Sequence, residues 1–150
     1  MQALINLGKT VYDALDRSGE WGALLLIRLL MAYEFGRALR RACDAVPEKI
    51  ALVGTGGVSH WPATPDSGKI NEAWDRQFLG QLMRQEKDAY LGYSDEETYA
   101  QAGQGGFEIR TYIAAAAAAG GEGELQFYTA ELPIFAVGVT VVRFDVAEAA

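Results

Sequence analysis

Ile50-Ala51-Leu52-Val53-Gly54-Thr55-Gly56-Gly57-Val58-Ser59-His60-Trp61-Pro62 joins an apolar run to a glycine-rich turn and a histidine. The apolar run Ile50 to Val53 predicts a buried strand. Gly54, Gly56 and Gly57 follow at once, then Ser59 and His60. Glycine lets a backbone turn sharply or approach a ligand closely. In open α/β sheets, ligands sit outside the carboxyl ends of the strands. The stretch therefore predicts an α/β fold with a site at a strand end. His60, the single histidine of the chain, is its first candidate residue.

Other chemistries fit the stretch poorly. Gly54-Thr-Gly-Gly57 lacks the glycine spacing and the Lys-Ser/Thr pair of a phosphate-binding P-loop, and it does not match the dinucleotide fingerprint. Gly57-Val-Ser-His-Trp61 lacks the second glycine of a hydrolase nucleophile elbow. A lone histidine with no context is most often structural. Its place after a Gly-Gly turn, beside Ser59 and Trp61, argues for a functional role.

Before this stretch, residues 3 to 17 read as a helix. Glu20 to Val46 read as one long helix or two packed ones, ended by Pro47. Leu24, Ile27, Leu30, Met31 and Phe35 form its apolar stripe, and Arg37, Arg40 and Arg41 a solvated face. After it, residues 61 to 68 are a loop. Lys69 to Gln85 read as a helix with Ile70, Trp74, Phe78 and Leu82 on the buried face. Asn71, Glu72 and Asp75 read as capping and surface residues at its start. Trp61, Trp74 and Phe107 read as core or pocket wall.

Ser94-Asp-Glu-Glu97 is a capping box that starts a short helix ending near Gly103. Gly105-Gly106 marks a turn, and Phe107 to Ala119 a buried, alanine-rich helix. Gly120 to Glu124 reads as a flexible break. Leu125 to Tyr128 and Ile134 to Phe144 read as strands, the second rich in β-branched residues.

Several segments in order resemble one family. They are Gly56-Gly-Val-Ser-His60, Gly68-Lys-Ile-Asn-Glu-Ala-Trp-Asp75 with Phe78-Leu79, Ala102-Gly-Gln-Gly-Gly-Phe-Glu-Ile-Arg-Thr-Tyr-Ile113, and Pro133-Ile-Phe-Ala-Val-Gly138. Together they resemble the catalytic subunit of class III extradiol ring-cleavage dioxygenases, the protocatechuate 4,5-dioxygenase β-subunit type. The resemblance implies an α/β domain with a mixed sheet flanked by helices. It covers residues 33 to 146 as the C-terminal part of that domain, with residues 1 to 32 a helical segment unlike the family and 147 to 150 a tail.

The resemblance also implies chemistry: Fe(II)-dependent opening of a catechol-type aromatic ring with O2. His60 would be the acid/base, since histidine is the side chain best placed to exchange a proton near neutral pH. Glu108, otherwise a helix-dipole partner, would be an iron ligand. The family triad has two histidines and one carboxylate, leaving iron positions open. The family's histidine ligands lie in its N-terminal part, and this chain holds no histidine besides His60. The expectation is a truncated member, with an inactive remnant or a non-catalytic subunit binding a partner chain as the alternative. A small partner subunit or a homo-oligomer fits either reading.

Composition narrows the remaining classes. The chain has 150 residues, enough for one domain, and half are hydrophobic. Its net charge of −7 offers no clustered cations for phosphates, which argues against nucleic acid or an anionic membrane. Cys43 is the single cysteine, so no intrachain disulfide forms, in keeping with a reducing, cytoplasmic setting. Gly22 to Tyr33 is too short an apolar run to span a bilayer, and the N-terminus shows no secretory pattern.

Overall fold

The computed structural model describes residues 29–131 and 136–148. The helix expected over residues 3 to 17 and the side chains of Leu24 and Ile27 lie outside them. Five α-helices and one antiparallel strand pair are present among the described residues. In chain order they are α1 (Leu29–Asp44), α2 (Glu72–Met83), α3 (Lys87–Leu91), α4 (Asp95–Ala102), α5 (Ile109–Ala119), β1 (Gly120–Thr129) and β2 (Val139–Val146). A 3-10 turn, Gly105–Glu108, leads into α5. The fold is α/β, as expected. No described helix is long and apolar enough to cross a membrane.

The core sits between α2, α5 and the inner end of α1. Trp74, Phe78 and Leu82 of α2 are buried on one face, and Trp74 stacks on Phe78 with ring centroids 5.5 Å apart. Each such side chain contributes roughly 1.5–3 kcal/mol by leaving water. Asn71 caps α2 through its side chain, and Ser94 accepts the Glu97 N–H at 3.0 Å to cap α4. Both caps agree with the sequence reading.

The buried face of α1 is a correction. Leu30, Met31 and Phe35 are each about half exposed, while Leu29, Ala32 and Gly36 are buried. The small residues win because α1 packs on the alanine run of α5 at very short range. A Cβ added to Gly36 would stand 2.1 Å from the Ala114 carbonyl oxygen. Larger side chains cannot enter that contact. Arg40 is also not on a free face: it pairs with Asp44 at 2.8 Å and donates to the carbonyls of Ala119 and Ala147, at 3.4 and 2.9 Å. It ties α1 to the end of α5 and to the chain beyond β2.

The strand expected at Ile50 to Val53 does not form. The segment has no ladder partner, and Ile50, Leu52 and Val53 are exposed, Val53 at 80%. It borders an open, mostly apolar groove of about 820 Å³ whose other walls include Leu79, Leu82, Ala115 and Val141. An apolar run forms a buried strand only where a neighbouring strand can take its backbone hydrogen bonds, and among the described residues β1 and β2 pair only with each other.

Gly120 to Glu124 is likewise not a break but the first half of β1, paired with β2 from Gly120↔Val146 onward through two register shifts. Gly120 adopts φ +76 and ends α5 in the left-handed conformation, which lets the chain turn straight from helix into strand.

Candidate active site

His60 is held by its backbone from both sides. Its N–H donates to Ala102 O at 2.8 Å, and its carbonyl accepts the Gly105 N–H at 3.2 Å. Just upstream, the Val58 N–H donates to Gly138 O at 3.0 Å and the Gly138 N–H to Ser59 O at 3.1 Å. The glycine-rich loop is thus laced to the α4–α5 connection and to the lead-in of β2. Neither link is visible in local sequence pattern.

The imidazole has a defined polarity. Nδ1 lies 3.2 Å from Val58 O, and a carbonyl can only accept, so Nδ1 carries the hydrogen in the neutral ring. That leaves Nε2 with its lone pair directed away from the loop. Nε2 lies 3.8 Å from Glu108 Oε1. A lone pair and a carboxylate at this separation favour a proton or a cation between them. Glycine walls the ring: a Cβ at Gly105 would sit 2.2 Å from Nε2.

Glu108 is fixed at its other oxygen, where Oε2 accepts the Gly57 N–H at 2.6 Å. Gly56, at φ +150, permits this, since a Cβ there would meet Glu108 Cβ at 2.7 Å. The first turn of α5 adds two further ties to the loop. Thr111 Oγ1 donates to Thr55 O at 2.7 Å, and the Tyr112 hydroxyl donates to Gly56 O. Burial first, then the charges of Glu108 and Asp75, push the Tyr112 phenol up to about 12, so it stays a donor at neutral pH. The Glu108 side chain is half exposed, and Oε1 is the oxygen not taken by the Gly57 N–H.

Asp75 is where the sequence reading needs correction. It is fully buried, not a surface residue. Its Oδ1 accepts the Ser59 N–H at 2.9 Å and its Oδ2 accepts the Tyr128 hydroxyl at 2.8 Å. Burial pushes its carboxyl above the usual range, with the Ser59 and Tyr128 hydrogen bonds pulling the other way. The sequence does not single out Tyr128 as a site residue, and it marks Gly105 and Tyr112 only as parts of a turn and of the segment that resembles the family. They belong to the site through contacts between residues far apart in the chain.

The family model described as the catalytic LigB subunit of aromatic ring-opening dioxygenase matches residues 28–142. The chain belongs to that family. It is 49% identical over 53 residues to the gallate dioxygenase of Pseudomonas putida, covering 34% of this chain and 16% of the relative. It is 26% identical over 123 residues to the 2,3-dihydroxyphenylpropionate/2,3-dihydroxicinnamic acid 1,2-dioxygenase of Burkholderia vietnamiensis, covering 53% of this chain and 39% of the relative. The chain therefore spans well under half the length of these relatives.

The family's dioxygenases are generally metal-dependent, and the residues described here do not by themselves fit a metal. Among them, no group of three or more His, Cys, Asp or Glu side chains could hold an ion. Glu108 offers one open carboxylate oxygen, and the neutral His60 ring offers Nε2 beside it. Asp75 is turned inward and engaged at both oxygens.

Proposed function

We propose that this chain carries part of the active site of an extradiol dioxygenase, opening a catechol-type ring with O2 and Fe(II). His60 is the proton-transferring residue and Glu108 the metal carboxylate. The observation that carries this reading is the 3.8 Å approach of His60 Nε2 to Glu108 Oε1, with Nε2 free to accept a proton. A phenolic hydroxyl seated at Nε2 would pass its proton to the ring, leaving a phenolate and an imidazolium. The Glu108 carboxylate beside the ring would stabilise that imidazolium. Because the described residues complete no metal site, no step through iron follows from them, and the further donors come from outside them.

The incomplete donor set favours a second reading, a non-catalytic subunit or remnant that keeps the fold and binds a partner chain. Oxygen uptake with a catechol and added Fe(II) separates the two. Uptake that His60→Gln lowers while iron content holds supports the enzyme. No uptake under any loading supports the second reading.

A further inference from the structure

Asp75 is buried at the meeting point of three segments. It stands on α2, its Oδ1 holds the Ser59 N–H, and its Oδ2 holds Tyr128 of β1. The third contact is the lead-in to β2, where a Cβ added to Gly138 would lie 2.1 Å from Asp75 Oδ2. Ser59 is fully buried and has every polar group engaged. Its N–H goes to Asp75, its carbonyl accepts from Gly138, and its hydroxyl accepts the Asn71 N–H at 2.7 Å. The next residue is His60.

We propose that Asp75 is the positioning residue of this site: by clamping Ser59 against Tyr128 and Gly138, it aims the His60 ring at Glu108. The proposal rests on the reading of His60 as the proton-transferring residue but is tested without turnover. An ordinary core residue would not be a carboxylate here, since burying one without a cation costs more than an apolar side chain of similar size. A carboxylate is suited to the place because it accepts from a backbone N–H and a phenol at once. The Ser59 amide would otherwise be a buried, unpaired donor directly before the functional histidine.

The test uses the single histidine of the full-length chain, whose ring protons give one unambiguous set of NMR signals. In the native protein they should show a nuclear Overhauser contact to the Gly105 α-protons, since the Gly105 Cα lies against the ring. Asp75→Ala should lose that contact and shift the ring resonances. Asp75→Asn keeps an acceptor for the Ser59 N–H and should restore both. Leu82→Ala, a core truncation on the same face of α2, should lower the melting temperature yet leave the His60 signals in place. If Asp75→Ala does not fold, Tyr128→Phe replaces it, and should move the His60 signals more than the Trp74 indole. Unmoved His60 signals in Asp75→Ala or in its replacement overturn the proposal, as does an equal displacement in Leu82→Ala. The outcome is independent of whether Glu108 binds a metal, so failure here leaves the functional reading standing, and the reverse.

Discussion

Nε2 of His60 lies 3.8 Å from Oε1 of Glu108, and the two arrive from different segments, one after the glycine-rich loop and one at the start of α5. What holds them together is mostly backbone: Gly57 donating to Glu108, Gly105 donating to His60 and Ala102 accepting from it. A site built on main-chain bonds tolerates little extra volume.

Gly105→Ala should displace the imidazole. The new Cβ would stand 2.2 Å from Nε2, and the ring is pinned at Nδ1 by Val58 O. Gly105 has no positive φ, so the cost comes from overpacking alone, about 1–3 kcal/mol. Chemical denaturation checks the stability loss, and the His60 ring resonances check the displacement.

Gly36→Ala should weaken the α1–α5 contact by a similar or larger amount. Its Cβ would meet the Ala114 carbonyl oxygen at 2.1 Å, and backbone cannot rotate away as a side chain can. A fall in melting temperature, with the His60 signals intact, is the expected pair of results.

Asp75 should make stability depend on pH in a stated direction. Its carboxyl is raised above the ordinary 3.8 by burial, with the Glu72 charge adding to it. The folded protein therefore holds this proton to a higher pH than the unfolded chain. The stabilisation is fully present below the unfolded value and is lost as pH rises through the folded one. The hydrogen bonds from Ser59 and Tyr128, which favour the charged form, limit the shift. Urea melts from pH 4 to neutrality should show a decline that Asp75→Asn removes.

Val53→Ser should be nearly neutral, within about 0.5 kcal/mol, because Val53 is 80% exposed where it borders the open groove. A loss typical of a buried strand, seen by denaturant unfolding of this chain, would mean that the Ile50–Val53 segment is covered after all.

Much of the fold was legible because its signals are local. Trp74, Phe78 and Leu82 recur at helical spacing, Ser94 stands where a cap belongs, and the β-branched run of β2 reads as a strand. Errors came where neighbours decide. The apolar stripe of α1 lost to Ala32 and Gly36 because only small side chains fit against α5. Ile50 to Val53 stayed unpaired because no described strand offers it hydrogen bonds. Asp75 looked like a surface residue at a helix start because its acceptors' partners, Ser59 and Tyr128, are remote in sequence. His60 and Glu108 could be picked out by resemblance, whereas their approach is set by the Gly57 and Gly105 contacts.

The pairing of His60 with a metal-binding Glu108 is tested by anaerobic titration of the native chain and of Glu108→Ala with a paramagnetic divalent ion, Fe(II) or Mn(II), watching the His60 ring signals. Even weak binding at a single carboxylate broadens a histidine beside it. His60 should broaden in the native chain and stay sharp in Glu108→Ala. Broadening that survives in Glu108→Ala, or none in the native chain, would contradict the assignment of Glu108 as the metal carboxylate next to the proton-transferring histidine.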